Sequence, residues 1–295
     1  MREGWLAERR RRRRVARLLQ QMDRLDAPTG RRSPAIAARP SSRARRRSVT
    51  AVTLLTVLLM GLFVSTLRER PSSSASAFPD RPVDARNARI AVQAPTSDSD
   101  EYAFVATQDG SSEPVTYDPC VPIHLVVDPR TIVDRGMDLL EDALEELRET
   151  TGLMFTVDGL TKGPPPAEDA VTKDDGQSWL PVTVSWSDPK TSPKLAGDVA
   201  GYAGSASIPH DGRRWFVTGT IVLDGPQLAE IMKGSRGWAS ARSVVMHELA
   251  HLVGLDHVDA PGQLMQPEGS QSLTTWGDGD LAGLAALGQG QCIDY

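Results

Sequence analysis

The chain has 295 residues, of which 40% are hydrophobic and 24% charged, enough for one globular domain of ordinary size together with additional segments. Its net charge of -5 conceals a division: residues 1–47 carry sixteen arginines and four acidic residues, whereas the rest of the chain carries 17 basic and 34 acidic residues. The two parts therefore face different surroundings. No base-reading motif accompanies the basic arm, so nucleic acid is not expected as a partner.

An uncharged run of twenty residues, "SVTAVTLLTVLLMGLFVSTL", follows the arm at residues 48–67. At about 1.5 Å per residue, a helix of this length spans the roughly 30 Å hydrocarbon core of a bilayer. The arginines before it predict a cytoplasmic arm (1–47), a single transmembrane helix (48–67) and an extracellular remainder in the cell membrane. Secretion after cleavage near Ala77 is the alternative, because Ala75, Ser76 and Ala77 form a small-residue cleavage motif.

The next segment, residues 68–115, is rich in Ser, Pro, Ala and Asp and is predicted to be a flexible extracellular linker, in which only "YAFVAT" (102–107) resembles a strand. From residue 116 to 295 the pattern is that of a folded domain. Apolar spacing predicts strands at 123–128, 153–159, 180–187 and 214–224, and helices at 133–152, from 238 with Ser240 as a candidate cap, and at 280–288. This order predicts a mixed α/β domain.

Three of the five histidines of the chain fall within twelve residues, "MHELAHLVGLDH". His247 and His251 are four residues apart, so on a helix they face one side, with Glu248 beside them. Gly254 permits the positive φ with which the chain leaves the helix and brings His257 toward the same point. Three histidine nitrogens and one open position are typical of a catalytic zinc site. The alternative, histidines that merely satisfy ordinary helix positions, requires a chance match on the order of one in ten thousand.

The stretch "HELAHLVGLDH" matches HExxHxxGxxH, Asp256 precedes the third histidine, Pro261 follows it, and "LMQP" places Met265 eight residues after it. In these residues the chain resembles the metzincin metalloproteases, and among them the matrixins. Even "DLAGLAALG" is similar to the closing matrixin helix. The resemblance implies an α+β zincin fold: a twisted mixed sheet with a long helix, an active-site helix, a methionine turn and a C-terminal helix.

The resemblance also implies a zinc-dependent endopeptidase acting on peptide or protein substrates. One Zn²⁺ would be held by His247, His251 and His257 above the apolar floor of Met265, and Glu248 would be the general base. The substrate would lie along an edge strand within residues 200–209 or in the strand that ends at Asp224, and residues after Met265 would form the S1′ wall. A structural calcium ion is compatible with the resemblance, but the sequence assigns no ligands to it. The alternative is a catalytically idle, zinc-containing surface module that binds peptides or a partner protein.

Some positions depart from the family pattern. His124 and His210 are too few for a second, structural zinc site, so neither is assigned as a ligand. The latency motif "PRCGxPD" is absent, and Gln266 stands where some metzincins carry a tyrosine that assists the oxyanion.

The only two cysteines, Cys120 and Cys292, bracket the predicted domain on the oxidising side of the membrane. We predict a disulfide between them. The alternative is that Cys120 acts as a thiolate ligand that blocks the zinc, which would leave Cys292 unpaired.

Overall fold

A five-stranded mixed sheet lies at the centre of the structure, a computed structural model that describes residues 78–95, 97–161, 170–173, 176–197, 199–266 and 273–295. In chain order the strands are β1 (Ala103–Phe104), β2 (Ile123–Asp128), β3 (Phe155–Leu160), β4 (Val182–Ser187), β5 (Gly201–His210), β6 (Arg213–Asp224) and β7 (Leu255–Asp256). The large sheet has the order β3-β2-β4-β6-β5, parallel except for β5, which pairs antiparallel with β6 at the edge. The predicted α/β class and mixed sheet are confirmed.

Within the described residues four α-helices accompany the sheet: α1 (Gly136–Thr151), α2 (Gly225–Met232), α3 (Gly237–Val253) and α4 (Asp278–Leu287). On α1 the buried residues recur every three or four positions, which gives the helix one apolar face against the core. α3 is buried along most of its length, as expected for the central helix of a core. Burial on this scale contributes roughly 25 cal/mol per Å² of apolar surface and holds α3 rigidly in place.

Two details of the helices differ from the sequence prediction. Ser240 is not a cap, because α3 already begins at Gly237. A methyl group on Gly237 would lie 2.0 Å from the carbonyl oxygen of Met232, so there is no room for a side chain at this position. The helix α2 was not predicted at all. Its start is marked by Asp224, whose carboxylate accepts from the Gln227 backbone N–H at 2.9 Å, with a proline in the first turn.

Contacts to the domain begin upstream of the predicted boundary at residue 116. β1 pairs antiparallel with β7, Ala94 and Val115 are buried, and the Arg89 guanidinium donates to the Gly288 and Gly290 carbonyls. Of the predicted linker, residues 78–95 and 97–115 are described and make these contacts. The basic arm, the predicted transmembrane helix and the cleavage motif ending at Ala77 lie outside the described residues, within which no helix is long and apolar enough to cross a membrane.

The predicted disulfide is present: Cys120 and Cys292 are bonded, with their Cα atoms 5.4 Å apart across 172 residues of sequence. The Asp118 carboxylate supports the same junction, because it accepts from the Cys120 N–H at 2.8 Å and from the Ile293 N–H at 3.2 Å. The alternative in which Cys120 is a thiolate ligand of the zinc is therefore wrong.

Candidate active site

The helix α3 carries the first two histidines of the motif one turn apart, and both are almost fully buried. The helix ends at Gly254, which has φ 114°, a conformation that side-chain-bearing residues rarely adopt. A methyl group there would also lie 2.8 Å from Cε2 of Phe216. Gly254 thus allows the sharp exit into β7, which leads directly to His257.

The three imidazoles converge on one point through their Nε2 atoms. These atoms are 3.0 Å apart between His247 and His251, 3.1 Å between His247 and His257, and 3.2 Å between His251 and His257. The other ring nitrogens face backbone carbonyls: His247 Nδ1 lies 3.2 Å from Leu264 O, and His251 Nδ1 lies 2.8 Å from Leu255 O. Because a carbonyl only accepts, each of these Nδ1 atoms carries the proton, and the Nε2 lone pair points to the shared centre.

This donor set fits a zinc ion. Zinc–nitrogen bonds of about 2.0–2.1 Å in a tetrahedral site imply nitrogens roughly 3.3–3.4 Å apart, close to the spacing of the three Nε2 atoms. Within the described ranges one other group of potential ligands comes together, Asp118 with Cys120 and Cys292, and its sulfur atoms are bonded to each other. His124 and His210 lie elsewhere, in β2 and β5.

Electrostatics favour neutral, metal-ready imidazoles. Burial and the neighbouring imidazoles hold the pKa of His247 well below its ordinary value. Burial, followed by the charge of His257, lowers the pKa of His251 to about 3, and burial lowers the pKa of His257 as well. Protons therefore compete weakly for the three nitrogens at neutral pH, which favours a cation at their centre.

Glu248, the predicted general base, has no exposed surface. Its side chain packs against the backbone of Gly201, the first residue of the edge strand β5. The structure therefore brings together the Nε2 atoms of His247, His251 and His257, and it places the edge strand beside the side chain of Glu248 on the same helix.

Comparison with known proteins agrees with this arrangement. Residues 180–287 match the matrixin family, peptidase M10. The match contains the three histidines, Glu248 and the methionine turn. Over these residues the domain is similar to the matrixin-type metzincins. No curated protein matches the chain.

The methionine turn of the matrixin-like domain is held by a carboxylate that sequence reasoning missed. Met265 is fully buried, and Val258, just after the third histidine, donates its N–H to the Met265 carbonyl at 3.0 Å. Asp280, also fully buried, accepts from the backbone N–H groups of Leu264, of Met265 at 3.3 Å, and of Gly277 at 2.9 Å.

Asp280 therefore acts on the site through the turn. The peptide group between Leu264 and Met265 makes the link: its N–H, that of Met265, donates to Asp280, and its carbonyl, that of Leu264, accepts from His247 Nδ1. A buried carboxylate with several backbone donors fixes the peptide in place, and the peptide fixes the histidine ring. The one sequence signal was that Asp280 opens the predicted closing helix, where an acidic residue in the first turn is common.

Proposed function

We propose that this protein is a zinc-dependent endopeptidase, anchored in the cell membrane by residues 48–67 with its matrixin-like domain outside the cell. The family supports a zinc metalloprotease. The observation that carries the finer proposal is the convergence of three Nε2 atoms within 3.2 Å of one another, together with the full burial of Glu248, which directly follows His247 on the same helix. A binding module that only held zinc would have no use for that carboxylate.

In this proposal His247, His251 and His257 hold the metal, and their rings are oriented by the Leu264 and Leu255 carbonyls and by the loop around β7. A zinc ion bound there would supply Lewis acidity, which lowers the pKa of water and polarises a carbonyl group. Glu248 accepts the proton of the attacking water and delivers it to the departing amine. Its burial strengthens this role, because charges interact more strongly where bulk water is excluded.

The substrate would bind in extended form along β5. Of the two strands considered from the sequence, β6 lies between β4 and β5 in the sheet and offers no open edge, whereas β5 is the edge strand. A peptide that adds to β5 by backbone hydrogen bonds passes the Gly201 end of the strand, where Glu248 lies. The S1′ wall was predicted from the residues after Met265, and of these residues 267–272 lie outside the described residues.

The full-length chain in detergent, loaded with one equivalent of zinc, should cleave members of an unstructured peptide library. Chelation should abolish cleavage, and added zinc should restore it, because the three neutral imidazoles rebind the ion. A chain that holds zinc but cleaves no peptide in the library would favour the idle binding module.

The membrane orientation has its own test. A protease added to intact cells should remove epitopes in residues 116–295 and spare epitopes in the basic arm. Loss of the arm epitope with the domain intact would reverse the orientation, and a mature N-terminus immediately after Ala77 would replace anchoring with secretion.

A further inference from the structure

We infer that Gly201 is a positioning residue for Glu248, an inference that deepens the proposed function and depends on it. Gly201 is the buried first residue of β5. A methyl group at this position would lie 2.9 Å from Cγ of Glu248 and 3.0 Å from both its Cδ and Oε1. Such distances are at or below the limit that real side chains reach. The Glu248 side chain therefore occupies the space that any larger residue at position 201 would take.

Backbone conformation does not explain this glycine. Among the described residues, the glycines with positive φ do not include Gly201. It lies opposite Leu223 in regular antiparallel pairing with β6, and the neighbouring Ala200 carbonyl accepts from the Asp224 N–H at 2.8 Å. An alanine would fit the strand conformation, so the constraint at Gly201 is the contact with Glu248.

When a methyl group is added at Gly201, the glutamate side chain is the part that moves. β5 is held by β6 along its length, and α3 is fixed by buried residues on both sides of Glu248, Met246 and Leu249 among them. Rotation of the Glu248 side chain is the least costly response, and it carries the carboxylate away from its present place. Since misplacement by about 1 Å can cost on the order of 100-fold in rate, the substitution should impair catalysis more than folding.

The structure offers a matched control on the same strand. Gly204 also lies in β5 without positive φ, and a methyl group there would meet nothing within 4 Å. Gly201→Ala and Gly204→Ala add the same methyl group to the same strand, and their effects on thermal unfolding can be compared. Only the methyl group at position 201 would touch Glu248. Only the Tm shift of Gly201→Ala should therefore depend on whether Glu248 is also substituted.

The first part of the experiment measures the contact without relying on activity. In the full-length, zinc-loaded chain, Gly201→Ala should lower the Tm. In a Glu248→Ala background the same change should cost about 3 °C less, because the space is vacated. The Gly204→Ala and Glu248→Ala shifts should be additive. If Gly201→Ala alone fails to fold, recovery of folding in the double variant supports the contact, and failure of both variants overturns it.

The second part measures catalysis. Gly201→Ala should keep about one zinc per chain and a KM within roughly threefold of the unsubstituted chain, while kcat falls by about 10- to 100-fold. Additive Tm shifts at Gly201 and Glu248, or a kcat within twofold of the unsubstituted chain, would overturn the inference. If the unsubstituted chain cleaves no peptide, the proposed function fails, whereas the Tm measurements still decide whether Gly201 and Glu248 are in contact.

Discussion

His124 connects three parts of the domain through one imidazole ring. In β2 it lies between two carboxylates, with Nε2 2.7 Å from Asp84 and Nδ1 2.8 Å from Asp158 in β3. Burial by itself lowers the pKa of His124, but the hydrogen bonds and charges of Asp158 and Asp84 outweigh burial and raise the pKa above its ordinary 6.5. The protonated ring can donate to both carboxylates, so it holds the segment containing Asp84 against the sheet.

This geometry predicts how stability changes with pH. Because the folded pKa of His124 is raised, its contribution to the free energy of unfolding is fully present below about pH 6.5 and is lost as pH rises through the folded pKa. The stability difference between the unsubstituted chain and His124→Gln, from urea unfolding, should therefore shrink as the pH rises above about 6.5. The half-exposed ion pairs limit the change to about 1 kcal/mol. A difference that grows with pH would contradict this reading.

At the scale of elements, residues 101–107, which include β1, form an upstream segment that supports the zinc-binding loop. Ala103 pairs with Asp256, the residue before the third histidine, and the Val105 N–H donates to the Gly254 carbonyl at 2.9 Å. Glu101 accepts from the buried Gln263 amide in the methionine turn at 3.0 Å. The segment therefore contacts both the exit of α3 and the turn beneath the histidines.

Substitutions at Val105 test whether this segment stabilises the exit of α3, because the Val105 side chain is half exposed while its N–H donates to the Gly254 carbonyl. Val105→Pro removes that donor and also restricts the backbone at Phe104 and at position 105, so it should lower the free energy of unfolding by about 1–3 kcal/mol and speed the loss of zinc to a chelator. Val105→Ala keeps the N–H and should stay within about 0.5 kcal/mol of the unsubstituted chain. Equal effects of the two substitutions would show that the hydrogen bond to Gly254 does not matter.

The elements that sequence reasoning predicted are those with long, regular patterns. β2 coincides with the predicted strand at 123–128, and the motif on α3 is visible because its ligands are close in sequence. β1 and β7 have two residues each, too short for any periodicity. α2 is short and has Pro226 in its first turn, a residue that in a sequence usually indicates a turn or a loop. The roles of Asp280 and Gly201 depend on contacts with residues 15 to 47 positions away, which only the fold brings together.

For the whole molecule, the disulfide closes nearly the entire domain into one covalent loop, since Cys120 and Cys292 are 172 residues apart. Replacing both cysteines by serine should lower the free energy of unfolding by up to about 5 kcal/mol in the chain-entropy model. The measured loss should be smaller, because Asp118 and Arg89 also hold the C-terminal residues. Urea unfolding of both forms gives the value, and a double variant as stable as the native chain would show that the disulfide contributes nothing.

The central claim, that a buried glutamate beside a three-histidine zinc site performs peptide hydrolysis, is tested most directly by Glu248→Gln in the full-length chain. Zinc content and peptide cleavage are measured on the same samples, with His257→Ala as the variant that should lose the metal. The account predicts about one zinc per chain in Glu248→Gln and a rate at least roughly 100-fold below that of the unsubstituted chain. Cleavage by Glu248→Gln at the unsubstituted rate, with zinc bound, would contradict it.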